Sequence, residues 1–354
     1  MRKRILFIAV LYFCAAALPL YTVARFYSHT ENTPEKPGVT APQDSDILSK
    51  NETLNAVKQA AALNTNGSLK NSEKYESFNI LDTSTGEIIT VKNRDFMIGG
   101  TAAEVPSTFH TEAIKAQMLC VYTYYSLQRQ NNRTGDKLDY DFSADLSIGE
   151  KYLTEDLFKE RTEDNYEKVY SVYAKAADEI EGKAVTYEGE PALTVFYAIS
   201  SGTTENSENV FASPLPYLVS VPSPYDSGAP GYKEELSFSK EEAEEIISTN
   251  FADVSLQENP VDWFKITDLT VSGTVLNIAV GDKTFTGQQL REAFGLRSAC
   301  FDVVYNENNF VFTTRGYGHN VGMSQYGAEY LARQGADFKD IISYYYPGTD
   351  IVNI

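Results

Sequence analysis

Histidine and tryptophan are scarce in these 354 residues: three histidines and a single tryptophan. Cysteine is as scarce, with Cys14, Cys120 and Cys300 far apart and no Cys-x-x-Cys pair. A structural zinc site draws on clustered Cys and His ligands. The stretch from Gln130 to Leu153 contains neither, and aspartates such as Asp136 and Asp141 do not replace them. We therefore expect no metal and no cofactor. There is no Gly-Lys-Ser/Thr and no Rossmann-type glycine fingerprint, which removes the common nucleotide-binding motifs. No nucleophile elbow accompanies His319, so a Ser-His-Asp hydrolase has no support. Basic residues are outnumbered, 30 against 49 acidic ones, for a formal net charge of −19. That leaves no positive face for nucleic acid and, beyond the first few residues, no polybasic surface for a membrane. Internal repeats are absent.

A long apolar run occurs at the start. Met1-Arg2-Lys3-Arg4 precedes Ile5 to Ala24, and a bilayer-spanning helix needs about 20 apolar residues. The basic cluster would stay in the cytoplasm and place the rest outside. A cleaved signal peptide is the competing reading. No clean small-x-small cleavage site is present, and Pro19 is followed by bulky Leu20 and Tyr21. We therefore expect residues 1–25 to be a retained single-pass anchor, with Cys14 an apolar membrane residue. Residues 26–71, rich in Asn, Thr, Pro, Glu, Ser and Lys, read as a flexible tether reaching on the order of 40 Å. Outside the cell a Cys120–Cys300 disulfide is permitted. Two separate buried thiols fit the sequence equally.

Residues 72–354 read as a single α+β unit with mixed helical and β-rich lobes. Phe78–Asp82 and Ile88–Val91 are expected strands around a Ser-Thr-Gly-Glu turn. Phe109–Arg129 is an expected helix, with Ala113, Ala116, Cys120 and Tyr124 at helical spacing. Tyr166–Glu181 is another, stopped by Gly182. Ala184–Tyr187 and Leu193–Ile199 read as buried strands. A β-rich lobe is expected at about 235–312, with an acidic helix at Ser239–Asn250 and strands at Thr267–Val271, Val275–Val280 and Phe301–Phe312. A short helix at Gln288–Phe294 falls among them. The last helices are Ser324–Gln334 and Asp337–Tyr344, the latter capped by Asp337.

The chemistry concentrates in Arg315-Gly316-Tyr317-Gly318-His319-Asn320-Val321-Gly322-Met323-Ser324-Gln325-Tyr326-Gly327. Its glycines free the backbone. His319, Ser324, Gln325 and Tyr326 add donors, acceptors and a flat face suited to a sugar. A tight structural turn and a phosphate cradle are the alternatives. Among the acids, Glu104 stands out in Ala-Ala-Glu-Val-Pro, between apolar neighbours just ahead of an expected helix. Apolar surroundings favour the neutral form of a carboxyl group, as a glycosidic general acid requires. The bland alternative is an acid placed by a helix N-terminus. Tyrosine is abundant, 24 residues. Most tyrosines are packing residues, so Tyr217 and Tyr326 are candidate sugar platforms only by their surroundings.

The run at 315–327 resembles the C-terminal signature of the stage II sporulation protein D family. Four further segments resemble it in the same order. They are Ala103-Glu104-Val105-Pro106 with Glu112-Ala113-Ile114-Lys115-Ala116-Gln117; Phe196–Glu208 around Ser200-Ser201-Gly202-Thr203-Thr204-Glu205; Pro216-Tyr217-Leu218 with Ser223-Pro224-Tyr225-Asp226; and Gly287–Phe301 around Leu296-Arg297-Ser298. The likeness covers about Asp82 to the C-terminus. It implies a peptidoglycan lytic transglycosylase of sporulation engulfment, with Glu104 as the catalytic acid and base. It also implies Lys115, Gln117, Tyr122, Ser200, Thr203, Glu205, Tyr217, His319, Ser324, Gln325 and Tyr326 as substrate-binding residues. Lys115 would recognise a lactyl carboxylate of peptide-stripped glycan. The family's usual arginine is replaced by Tyr122. The implied partners are glycan strands, a sporulation cell-wall amidase and a membrane scaffold. The implied location is the mother-cell engulfing membrane, facing the forespore wall. Related domains in amidase enhancers keep a non-catalytic activator, or a wall-binding protein, as the alternative.

Overall fold

The computed structural model describes residues 75–133, 138–211 and 213–353. The expected anchor and tether, with Cys14 and His29, lie outside the described residues, as does Asp136. Among the described residues no helix is long and apolar enough to cross a membrane.

Strict alternation of buried and outward residues makes β1 (Ser77–Asp82) pair with β2 (Ile88–Lys92) as the expected hairpin, Ile80 opposite Ile89. Next comes α1 (Asn93–Glu104), which the sequence reading did not assign. Gly99-Gly100 lowers helix propensity, and tertiary packing overrides it. A Cβ on Gly99 would overlap the Tyr152 ring and stand 2.6 Å from Leu153 O, and one on Gly100 would stand 3.0 Å from Val121. Both glycines let α1 lie close against its neighbours. The helix α2 (Thr111–Asn131) is buried at every position from Ala113 to Tyr125. A helix buried all round is a core axis rather than a surface element.

The chain continues through β3 (Phe142–Ala144), parallel to β1, then α3 (Glu155–Thr162) and α4 (Tyr166–Ile180). β4 (Lys183–Tyr187) pairs with β5 (Glu190–Pro191). Of the strand expected at Leu193–Ile199, only β6 (Phe196–Tyr197) is regular. Its partner is a segment far along the chain: Met323 N donates to Val195 O and Tyr326 N to Ala198 O. α5 (Ser207–Phe211) follows.

The β-rich lobe runs from β7 (Lys233–Ser239) through α6 (Lys240–Asn250), β8 (Phe264–Leu269), β9 (Val275–Val280), β10 (Lys283–Phe285), α7 (Gly287–Phe294) and β11 (Phe301–Asn306) to β12 (Asn309–Arg315). Its two sheets have strand orders β10-β9-β8 and β11-β12-β7. The single strand expected at Phe301–Phe312 is a hairpin. Glu307 and Asn308 take φ of 47° and 65°, the two-residue geometry that matches strand twist. Ser239 and Thr286 cap α6 and α7 through full capping boxes. The lobe has its own core, with Ile278, Leu290, Phe294, Phe310 and Phe312 fully or nearly fully buried.

The C-terminal elements return to α2: β13 (Met323–Ser324), parallel to β6, then α8 (Gln325–Arg333), α9 (Phe338–Tyr345) and β14 (Asp350–Asn353), antiparallel to β4. Ser324 and Asp337 cap the two helices, as expected for Asp337. Cys120 and Cys300 are separate buried thiols. Burial pushes Cys120 up to about 12.

Phe312 packs its ring against Phe238, Phe264, Phe294 and Phe301. Phe312→Ala is expected to cost roughly 3–5 kcal/mol. Urea unfolding followed by the fluorescence of Trp263, stacked on Phe310 at 5.3 Å, reads this lobe directly. An unchanged midpoint would show that these rings form no cooperative core.

Candidate functional site

Glu104 closes α1 rather than standing ahead of a helix, because Val105 leaves in an extended conformation. This corrects the helix N-terminus reading. A helix C-terminus carries partial negative charge and disfavours a carboxylate. The side chain is 4% exposed. The connection that follows, Val105 to His110, is gripped from two helices. Tyr173 of α4 donates its hydroxyl to Val105 O at 2.7 Å. From α8, Glu329 accepts from His110 N at 2.5 Å and Arg333 donates to Thr108 O at 3.3 Å. Tyr326 meets Phe109 edge-on at 5.3 Å. Arg333 also holds Glu329 at 2.6 Å. The helix that follows the glycine-rich signature is thereby locked to the segment that follows Glu104.

The signature glycines serve close backbone approach. Gly316 and Gly322 take φ of 76° and 78°. A Cβ on Gly316 would stand 2.8 Å from Ile199 O, and one on Gly322 would collide with Val195 O. Asn320, at φ 67° without being glycine, reaches across. Its Nδ2 donates to Ser201 Oγ at 3.0 Å and to Thr203 O at 2.8 Å, and its carbonyl accepts from Glu205 N at 2.6 Å. The loop amides are engaged: Tyr317 N bonds Ile199 O, Gly318 N bonds Arg297 O, and Val321 N bonds His319 Nδ1. A phosphate cradle needs such amides open, so the phosphate alternative loses its donors. Arg297 also lies over the Tyr317 ring at 5.2 Å.

Ser200, Ser223 and Ser324 converge on a residue that the sequence does not single out. Asp226 is 1% exposed. Its Oδ1 accepts from Ser200 N at 2.9 Å and from Ser324 Oγ, and its Oδ2 accepts from Ser223 Oγ at 2.6 Å. Ser223 Oγ in turn meets Tyr345 OH at 2.7 Å. Burial raises the Asp226 carboxyl above its usual range, against the hydrogen bonds that lower it. A lone Asp in Ser-Pro-Tyr-Asp carries no local signal of this hub. Asn320 and Glu329 were passed over as well.

Several expected ligand contacts prove to be internal. Lys115 is nearly buried between Glu112 Oε1, at 2.7 Å, and Glu179. Its charge is already matched by two carboxylates within the fold. Tyr122 packs edge-on to Phe78, and its hydroxyl accepts from Asn93 Nδ2 at 3.3 Å. It sits in the core rather than under a sugar. Tyr217 is likewise a core residue. Its hydroxyl accepts from Leu193 N at 2.9 Å, and burial pushes it up to about 12. Glu205, buried, accepts from Asn206 N, Asn209 Nδ2, Thr270 Oγ1 and Ser272 Oγ, so its oxygens tie the 200–205 loop to the β-rich lobe. Ser200 and Ser324 are buried in the Asp226 hub, while Thr203 stays partly exposed.

Asp141, dismissed as a zinc ligand, pairs with Arg133 at 2.5 Å. The Gln117 amide is buried, and neither of its polar atoms has a hydrogen-bond partner among the described residues. Gln325 is buried in the first turn of α8, and Tyr326 remains half-buried beside Phe109. His319 is half-buried with its ring against Tyr197 and Phe211. Desolvation, and secondarily Arg291, push its imidazole down to about 3. It is therefore neutral at physiological pH.

The chain matches the stage II sporulation protein family over residues 82–187, a span that contains Glu104, Lys115, Gln117 and Tyr122. It is similar to stage II sporulation protein D of Bacillus subtilis (strain 168), 33% identical over 275 residues that cover 78% of each chain. The protein of the same name from Bacillus amyloliquefaciens is 33% identical over 279 residues, 79% of each chain. The amidase enhancer of Bacillus subtilis (strain 168) is 24% identical over 307 residues, 71% of this chain and 39% of that protein.

Asp226→Ala strands two serine hydroxyls and a backbone N–H in the interior. It is expected to cost roughly 3 kcal/mol or more, with Asp226→Asn losing less; equal stability of the Ala variant in urea would refute the hub. For His319, the folded value of about 3 lies below the ordinary 6.5. Stability from its neutral form is full above 6.5 and is lost as pH falls through that window. His319→Gln should flatten the decline of the urea midpoint between pH ~7 and ~4 by about one proton's slope. An identical decline in both proteins would contradict the neutral imidazole.

Proposed function

This chain belongs to the stage II sporulation protein D family, and we propose that it is a lytic transglycosylase of peptidoglycan acting on peptide-stripped glycan during engulfment. The observation that carries the reading is the placement of Glu104. It is a buried carboxyl at a helix C-terminus, its connection clamped by the helix that follows the signature loop. A carboxyl group shielded from bulk water in this way suits a glycosidic general acid.

Glu104 donates its proton to the oxygen bridging N-acetylmuramic acid and N-acetylglucosamine, and the C1–O bond breaks. The resulting carboxylate accepts the proton of the muramic acid C6 hydroxyl as O6 bonds to C1. The product is a 1,6-anhydro ring, and Glu104 ends protonated again. A paired second carboxylate, which water-using glycosidases need, has no part in this route. That agrees with the engagement of both Glu205 oxygens within the fold. The nucleophile belongs to the sugar itself, so little ordering entropy is lost at ring closure. In this reading Tyr326, half-buried beside Phe109, borders the sugar. In this reading the anchor at 1–25 and the tether at 26–71 hold the unit outside the mother-cell membrane, with a wall amidase and a membrane scaffold as partners.

The second reading is an amidase activator without chemistry of its own. It draws on Tyr122, packed into the core where the family carries an arginine, and on the similarity to the amidase enhancer. The test uses residues 72–354 incubated with peptide-stripped strands, with products resolved by mass spectrometry. Products ending in 1,6-anhydro-muramic acid are expected, and Glu104→Gln is expected to lower their rate at least ~1000-fold by removing the acid and base. Strand binding without cleavage by the native sequence would favour the activator.

A further inference from the structure

We propose that Tyr225 and Tyr330 form a second sugar-stacking platform, which holds the glycan strand beyond the sugars engaged at Glu104. The inference rests on the glycan reading given above. Tyr225 sits on the single-turn helix Pro224–Gly228 and is 54% exposed. Its ring lies flat on Tyr330, centroids 3.9 Å apart and planes 11° from parallel. One face of Tyr225 is therefore held and the other is turned outward. A lone tyrosine on a surface turn loses rotamer freedom when a ligand stacks on it. Here the stack on Tyr330 has already fixed the ring plane, and a preorganised face binds at lower entropic cost.

The turn beneath it is fixed as well, because the next residue is the buried Asp226, bonded to Ser200, Ser223 and Ser324. Tyr344 flanks the pair. It is 38% exposed, its hydroxyl donates to Pro222 O at 2.5 Å, and it lies close enough to interact electrostatically with Tyr225. Three tyrosines from three separate elements thus gather on one surface. Flat faces edged by hydroxyls suit a pyranose, whose C–H face stacks while its hydroxyls bond the phenol oxygens.

Position commits the platform to the same strand. Tyr330 follows Tyr326 by four residues on α8, so both project from one face about 6 Å apart along the axis. Tyr326 meets Phe109 in the connection that leaves Glu104. The row of rings therefore continues outward from the proposed site. The chemistry is fitting for a chain of net charge −19. Peptide-stripped glycan is itself anionic, and stacking on neutral rings needs no attraction between unlike charges. The other strongly exposed apolar side chains, such as Val271 and Val304, offer no ring face.

The test places Tyr225→Ala and Tyr225→Trp in the full chain carrying Glu104→Gln, so that the strand is not consumed. Affinity is measured for long peptide-stripped strands and for fragments of one or two disaccharides. Tyr225→Ala is expected to weaken long-strand binding about tenfold, about 1.4 kcal/mol, to leave short fragments unaffected, and to be restored by Tyr225→Trp. Undiminished long-strand binding by the Ala variant, while the parent binds, overturns the platform alone. Equal losses on short and long ligands also overturn it. So does a loss confined to binding of a wall amidase, which would make the patch a protein contact. A parent that binds no glycan of any length overturns both this inference and the reading on which it rests.

Discussion

The carboxyl group of Asp226 is the joint on which the functional region depends. It gathers the Ser200 loop, the turn that carries Tyr225, the N-cap of α8 and, through Ser223, the last turn of α9. Short backbone pairings link some of these segments, Ser324 with Tyr197 and Ser223 N with Gly202 O, and the one carboxyl group joins them all. A buried acceptor with several donors does so because each unmade bond would leave a polar group stranded in the interior. Gly327 belongs to the same constraint. A Cβ there would overlap the Tyr345 hydroxyl and stand 2.6 Å from Ser223 Oγ.

Around that joint the molecule is organised by α2, buried along most of its length. α1 packs on it through glycines, and α8 and α9 close over it from the far end of the chain. The ion pairs of Lys115 with Glu112 and Glu179, together with the bond from Phe338 N to Glu112 Oε2 at 3.0 Å, tie α2 to α4 and to the start of α9. The β-rich lobe keeps a separate core. It is tied to the helical part by Glu205, which reaches Thr270 and Ser272, and by Arg297, whose carbonyl accepts from Gly318. The segments that resemble the family are thus the ones that meet across these joints. Their likeness reflects shared internal contacts as much as a shared binding surface.

Lys115, Tyr122, Tyr217, Ser200 and Glu205 are ligand residues only by what the family resemblance implies. Burial supplies the other explanation, since each has an internal partner that accounts for its identity. Gln117 and Tyr326 differ in their contacts, Glu104 in its place in the fold. Glu104 sits at a helix end beside the clamped connection, Gln117 is a buried amide without a hydrogen-bond partner among the described residues, and Tyr326 keeps part of its ring exposed.

The sequence by itself determined the α+β class, most of the regular elements and the family. Helical and alternating periodicity, caps such as Asp337, and motif order are local properties written in neighbouring residues. It did not reveal α1, because Gly99-Gly100 argue against a helix until Tyr152 and Leu153 arrive to require them. It read Phe301–Phe312 as one strand, because a two-residue turn at Glu307-Asn308 leaves little trace in hydrophobic alternation. Tertiary structure alone decided which polar residues are internal and which face outward. It paired Lys115 with Glu179, buried Tyr122, set Glu104 at the end of a helix instead of before one, and made Asp226 a hub. Those outcomes depend on side chains far apart in the chain meeting in a dry interior, where each polar group must find its partner, and no local window of sequence carries that information.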